Sequence, residues 1–324
     1  HLYASSSQHA SITWFSLNSD DGTPAYGNAE GSTYLVSGSD YATQLTLVAE
    51  FIDSGGHPQT LTSNPTELIK SPHDLKFFDE STAINDSIAI GNTLAAGAFD
   101  QSHSLYLKSD GSLWAMGNNE FGQLGDGTTT NRSTSVQIDS EVSAVSTGEA
   151  HSLYLKINGS LWVMGTNGFG QLGDGTIFVD RITPVQVADN VSAVSSAGNH
   201  SLYLKTDGSL WAMGNNGNGQ LGDGTTTQRS TPVQVATGVI AIAAGSVHSL
   251  YLKTDGSLWS MGKNGNGQLG DGTHTNDRTS AVHVEDDVSA VTGGGNHSLY
   301  LKTDGSLWAM GGNSFGQLGD GTTI

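Results

Sequence analysis

Apolar and polar side chains alternate along His200-Ser201-Leu202-Tyr203-Leu204-Lys205, placing His200, Leu202 and Leu204 on one side and Ser201, Tyr203 and Lys205 on the other. That period of two predicts a β-strand. The turn Thr206-Asp207-Gly208-Ser209 follows, and then a second apolar run, Leu210-Trp211-Ala212-Met213. An Asp-Gly pair between two such runs predicts a tight antiparallel hairpin, because its turn needs residues that tolerate positive φ. The next stretch, from Gly214 to Thr225, is rich in glycine, Asn and Asp and predicts a structured loop. Two more β-type runs, Pro-Val-Gln-Val at 232–235 and Val239-Ile240-Ala241-Ile242, complete a unit of four short strands.

The unit recurs five times. His103, His151, His200, His248 and His297 each open the string His-Ser-Leu-Tyr-Leu-Lys, and Trp114, Trp162, Trp211, Trp259 and Trp308 follow in order, both at spacings of 48, 49, 48 and 49 residues. Four short strands repeated at that period predict an all-β fold, a β-propeller with one blade of about 49 residues per copy. A parallel β-helix would need shorter coils, and the double glycine of kelch blades and the Trp-Asp pair of WD blades are missing. The string Gly-x-Asn-x-x-Gly-Gln-Leu-Gly-Asp-Gly-Thr decides the matter. With the histidine before its strand, the Asp-Gly turn and the Trp-x-x-Gly strand end, it resembles the repeat of the regulator of chromosome condensation family over residues 88–324. The resemblance implies a rigid interaction platform, usually of seven blades. Five copies are visible, and the last is cut short at Thr323-Ile324, so two further blades beyond Ile324 are expected rather than a five-bladed ring. In the first copy the loop from Gly97 to His103 is longer than its later counterpart from Gly148 to His151.

Residues 1–65 carry a different pattern. Runs at Ser11-Ile12-Thr13-Trp14-Phe15, Gly31 to Val36 and Gln44 to Asp53, the last ending in a Ser54-Gly55-Gly56 turn, have the spacing of a β-sandwich. Their order resembles the later half of bacterial Ig-like domains, which makes residues 1–65 an Ig-like module, expected to be incomplete. Residues 66–87, with Pro65 just before them and Pro72 within, read as the connection.

Charge excludes several partners. The 324 residues hold 12 Lys+Arg against 31 Asp+Glu, a formal net charge of −19, which repels phosphate backbones, so no nucleic acid is expected. No run of 18 apolar residues occurs, so no membrane insertion is expected. Without cysteine there is neither a disulfide framework nor a thiolate metal site. The chain opens at His1, and a removed leader or an excised piece is the expectation.

The repeated residues read as structural. Each histidine is expected to bury its ring at a strand start and hold a neighbouring backbone group, since a metal site usually needs unlike residues converging. The tryptophans read as packing between blades. Asp126, Asp174, Asp223, Asp271 and Asp320, in the recurrent Gly-Asp-Gly-Thr, resemble calcium-loop ligands but lack the further carboxylates, so they read as turn-stabilising. No cofactor is expected beyond weak Ca2+ binding favoured by the negative field. Serine follows histidine in every copy, but neighbours on a strand point to opposite faces and cannot form a nucleophile–base pair. No enzyme is expected.

Recognition is sought where copies differ. Before the histidines stand Asp100, Glu149, Asn199, Val247 and Asn296, and after Gly-Asp-Gly-Thr the second copy has Ile177, Phe178, Val179 and Arg181. These are the candidate binding residues, with the apolar trio as an exposed anchor. The resulting expectation is a noncatalytic, extracellular or cell-surface scaffold of a bacterium that binds a protein or glycan through variable propeller loops. One alternative is a structural subunit that self-assembles into oligomers or filaments by sharing strands between chains. Another is a secreted enzyme inhibitor, for which Phe99, Phe169 and Phe178 are suggestive. The family's nucleotide-exchange role fits neither the charge nor the Ig-like neighbour.

Overall fold

The computed structural model describes residues 103–323 in full and, before them, the backbone of five short strands. It divides into two units, His1–Ile90 and Gly91–Ile324. In the first, β1 (Ser16–Asn18) pairs with β2 (Pro24–Tyr26), and β3 (Val48–Ile52) pairs with β4 (Pro58–Thr62), both antiparallel. The Ser54-Gly55-Gly56 segment joins β3 to β4. The expected runs 11–15 and 31–36 lie outside the described residues, as does the Ig-like arrangement as a whole.

The second unit is a succession of antiparallel meanders. Blade one holds β5 (Leu94–Ala96), β6 (His103–Leu107), β7 (Leu113–Gly117) and β8 (Arg132–Asp139). Blade two holds β9 (Val142–Thr147), β10 (His151–Lys156), β11 (Leu161–Gly165) and β12 (Arg181–Ala188). Blade three runs β13 (Val191–Ala197), β14 (His200–Lys205), β15 (Leu210–Gly214) and β16 (Arg229–Ala236), and blade four β17 (Val239–Ala244), β18 (His248–Lys253), β19 (Leu258–Gly262) and β20 (Arg278–Glu285). Blade five shows three strands among the described residues, β21 (Val288–Gly293), β22 (His297–Lys302) and β23 (Leu307–Gly311). Four four-stranded sheets and one of three make the all-β propeller architecture that the repeat predicts.

Each hairpin, Asp-Gly in four blades and Asn158-Gly159 in blade two, fixes the register of the two middle strands. In blade two Leu155 stands opposite Leu161, Tyr154 opposite Trp162 and His151 opposite Gly165. The alternation then sends Leu153, Leu155, Leu161 and Val163 to one face, where all are buried. That face is covered by Val191, Val194, Tyr203 and Met213 of blade three, in one cluster with Leu172. Blades one, three and four are covered by their successors in the same way. The core is therefore a series of equivalent layers between blades, each depending on its neighbour. First strands meet across these layers: Ser196 N–H donates to Ser146 Oγ at 2.9 Å and Ala244 N–H to Ser195 Oγ at 3.0 Å.

Candidate binding surface on the loop end

Antiparallel order puts two loops of every blade at the same end of its sheet, one between the first and second strands and the glycine-rich one between the third and fourth. They are tied together: Thr166 N–H donates to Ala150 C=O, Asn215 N–H to Asn199 C=O, Lys263 N–H to Val247 C=O and Gly312 N–H to Asn296 C=O, all at 2.8–2.9 Å. The opposite end carries the Asp-Gly hairpins and, in blade two, the Asn158-Gly159 hairpin.

The glycine-rich loops are built around a buried asparagine. In blade two Asn167 Oδ1 accepts Leu172 N–H at 3.1 Å, while its Nδ2 donates to Asp174 Oδ1 at 3.1 Å and to Thr176 C=O at 3.1 Å. Asp174 Oδ1 also accepts Thr176 N–H at 3.0 Å and its hydroxyl at 2.6 Å, and Oδ2 takes Arg181 through Nε and Nη2, both at 2.6 Å. Burial alone would raise this carboxyl, but the Thr176 and Arg181 donors outweigh it and hold it below the usual carboxylate range. The same cage stands at Asp126 with Arg132, Asp223 with Arg229 and Asp271 with Arg278. Both oxygens of each aspartate are thus occupied by donors of its own loop and strand. Arg181, one of the candidate binding residues, has its guanidinium engaged by Asp174.

The histidines reach a partner that the sequence did not name. His103 Nε2 meets Ser152 Oγ of the next blade at 2.8 Å, and His151–Ser201, His200–Ser249 and His248–Ser298 repeat the pair at 2.7–2.9 Å. Each hydroxyl donates its one proton to a glutamine carbonyl of the preceding blade, Ser152 to Gln123 at 2.7 Å and Ser201 to Gln171 at 2.9 Å. The histidine must therefore carry its proton on Nε2 and donate to the serine. That polarity is the reverse of nucleophile activation, and both side chains are fully buried. Burial pushes the imidazoles down, His151 and His248 to about 3 and His200 to about 4. Each pair acts as a rivet between blades.

The tryptophans of blades one to four are half-buried and already occupied, and Trp308 of blade five is exposed. Trp162 stacks on Tyr154 with centroids 6.2 Å apart, donates from Nε1 to Ser160 Oγ at 3.0 Å and has Lys156 Nζ 5.4 Å from its ring. Among the described residues no cluster of three or more His, Asp or Glu is arranged to hold a metal ion.

Of the candidate binding residues, Asp100 lies outside the described residues. The structure brings Glu149 and Asn199 together, with Asn199 Nδ2 donating to Glu149 Oε2 at 3.0 Å. Val247 is half-buried and Asn296 exposed, on the corresponding loops of blades four and five. Ile177, Phe178 and Val179 stand on the outer loop of blade two. Ile177 is half-buried, whereas Phe178 and Val179 are 82% and 44% exposed. Phe178 has φ +62°, the left-handed region that a bulky side chain rarely enters, and its N–H is held by Asn167 C=O at 3.0 Å.

Ile182 and Phe121 escaped the sequence reading, whereas Phe169 was named there. Ile182 is 41% exposed, and its Cα lies 2.5 Å from where a Cβ on Gly122 would stand, so the Phe121-Gly122 loop of blade one abuts it. Phe169, 38% exposed, leaves the loop that anchors Phe178. Phe121, Phe169, Phe178, Val179 and Ile182 thus give the loop end of blades one and two an apolar rim, tied by the Gly122–Ile182 approach and the Phe178 N–H to Asn167 C=O bond. Part of this was visible: Phe121, Phe169 and Phe315 share one loop position that holds Asn218 and Asn266 in blades three and four, and blades one, three and four have Ser133, Ser230 and Thr279 in place of Ile182.

Solved structures share this architecture. The chain is similar to human WBSCR16, at 26% identity with a TM-score of 0.61, covering 68% of this chain and 62% of that one. It is similar to yeast RCC1 (Prp20) in its complex with Kap60, at 25% identity and a TM-score of 0.57, covering 67% and 55%. A structure of Prp20p from Saccharomyces cerevisiae, reported with its binding to Gsp1p and histones, aligns at 21% identity and a TM-score of 0.59, covering 79% and 66%. The chain thus spans less than two thirds of the length of each of these structures. Comparison with curated proteins returns no match. A family model described as the RCC1-like domain matches residues 38–324. With that match over most of its length, and blades riveted in one repeated way, the chain belongs to the RCC1-like domain family.

Proposed function

We propose that the chain is a noncatalytic scaffold that binds a protein through the loop end of its propeller, with the apolar rim of blades one and two as the contact. The carrying observation is Phe178, 82% exposed and held at positive φ on the one described loop with consecutive apolar residues after Gly-Asp-Gly-Thr. An exposed aromatic on a rigid base loses little entropy on binding, and its rim of Phe169, Val179 and Ile182 can shed water around it. Protein binding is supported by the likeness to RCC1, whose structure holds Kap60. An apolar rim suits a protein surface better than a glycan. The acidic balance and the Ig-like resemblance upstream support an extracellular or cell-surface setting in a bacterium. No cofactor enters this reading.

The test compares the parent chain with Phe178→Ser for a partner captured by cross-linking from the cells that make it. Removing the anchor withdraws about 1.5–3 kcal/mol of burial, roughly a 10- to 150-fold loss of affinity. Equal affinity for both chains, with unchanged circular dichroism, would remove the rim from the contact.

A further inference from the structure

We infer that the loop end carries a carboxylate-binding site at the junction of blades four and five, where the Gln268 amide and the Lys263 ammonium take the two oxygens of one carboxylate. The site goes beyond the apolar rim of blades one and two and does not rest on it.

The glutamine of Gly-Gln-Leu-Gly is buried in blades one to four. In each, its Oε1 accepts the N–H two residues earlier, at 2.9–3.0 Å. That bond fixes which way the amide faces and leaves Nε2 to find an acceptor elsewhere. In blade one the acceptor is Asn118 Oδ1 of the same loop, at 2.7 Å. In blade two it is Asn199 Oδ1 of the next blade, at 3.3 Å, and Asn199 is held there by donating its own amide to Glu149 at 3.0 Å. Blade four has neither arrangement. Lys263 stands at the Asn118 position and Ser246 at that of Glu149, so Asn296, the counterpart of Asn199, has no carboxylate to hold it against the glutamine. The backbone confirms the match, since Glu149 N–H donates to Gly198 C=O and Ser246 N–H to Gly294 C=O. Gln268 is fully buried, and its Nε2 is the one enclosed side-chain donor among the described residues without an acceptor. The other enclosed atoms without a partner are the histidine Nδ1 atoms, which accept rather than donate.

Around that donor the junction offers further donors. Lys108, Lys156, Lys205, Lys253 and Lys302 each lie over a tryptophan, whereas Lys263 has neither a ring nor a carboxylate among the described residues. Its stem lies along the loop, with Cε 3.9 Å from where a Cβ on Gly265 would stand. Across the junction blade five has Gly312 where blades one, three and four have Asn118, Asn215 and Lys263. A Cβ on Gly312 would lie 3.6 Å from Asn296 Cβ and 3.8 Å from Asn266 Cβ, so the bare glycine leaves these two amides side by side. An amide N–H and an ammonium together call for an anion with two oxygens. One unpaired cation balances one charge, and a net charge of −19 repels a phosphate dianion more than a carboxylate.

The test follows the Gln268 side-chain amide and the backbone amides of 263–268 and 312 by NMR in the full 324-residue chain, while acetate replaces chloride at fixed ionic strength. Acetate is expected to shift these signals to saturation. Lys263→Asn installs the residue that blades one and three use. It should weaken acetate binding by about 10- to 150-fold and raise the melting temperature, because Gln268 regains an acceptor. Gln268→Glu keeps the acceptor for Asn266 N–H but sets an oxygen in place of the donor, and the backbone signals should then ignore acetate. A blocked Ala-Asp-Ala tripeptide separates the sources: tighter binding than acetate assigns the carboxylate to a partner chain, and weaker binding to a free small acid. Signals that respond to neither probe, or that respond to acetate equally in the parent and in Lys263→Asn, would overturn the inference and leave Gln268 to a buried water.

Discussion

His151, His200 and His248 set the acid limit of the fold. Their rings are fully buried, Nε2 donates to serine, and Nδ1 is enclosed without a partner. A second proton has nowhere favourable to go, so the folded state holds them neutral down to about 3 or 4 while the unfolded chain protonates near 6.5. Because the folded values are depressed, the stabilisation is complete above pH 6.5 and is lost as pH falls towards the folded values. Each histidine costs about 1.4 kcal/mol per pH unit in that window, so the three together cost about 4 kcal/mol per unit. Urea midpoints should be flat above pH 7 and drop steeply between pH 6.5 and 4, and a level profile would contradict the buried neutral pairs. Ser201→Ala, which strands the His151 Nε2 proton, should destabilise by about 1–3 kcal/mol in the same assay. Burial of the histidines was readable from the sequence, because each opens an apolar-alternating strand. Their partner was not, because serine and histidine of one copy do diverge, and the serine that answers stands 49–50 residues away on the next blade.

Strands and hairpins were legible because their determinants are local. The Asp207-Gly208 turn and the alternation from His200 to Lys205 place Tyr203 opposite Trp211 and Leu204 opposite Leu210. What couples one sheet to the next was less visible. The glycines of Gln-Leu-Gly-Asp-Gly read as loop formers, and Gly173 does have φ +69°, yet it also makes room for Met213. The two roles separate by comparing Gly173→Ala with Gly175→Ala, which shares the positive φ but whose Cβ would meet only Thr231 Cγ2, at 4.0 Å. Gly175→Ala should cost only the left-handed penalty, about 1–2 kcal/mol. Gly173→Ala should cost a further 1–3 kcal/mol or so from overpacking. Equal losses would mean that the methionine adjusts freely and that the socket is not a packing constraint. The Asp–Arg cages lie between these cases: the aspartate was readable as turn-stabilising, whereas the bond from Asp174 to Arg181 depends on a strand that starts seven residues later.

At the scale of the molecule, identical layers hold the blades and unlike loops distinguish them. Consensus residues, namely His, Ser, Tyr, Trp, Met and the loop Asn and Asp, are spent on one another, which leaves recognition to positions where copies depart from the consensus. Ile177, Phe178 and Val179 were visible as such a departure. Phe121 and Ile182 join them only because blade one's loop lies against blade two's fourth strand, a contact between copies that no single repeat displays. The account therefore places the partner on the rim of blades one and two, away from the Asp-Gly hairpins at the other end. Hydrogen exchange of the chain with and without its captured protein partner tests this most directly. Slowed exchange at residues 119–122 and 167–182, with the hairpins at 109–112, 157–160 and 206–209 unchanged, is the expected footprint. Protection confined to the hairpin end, with the loop bearing Phe178 exchanging as it does alone, would contradict it.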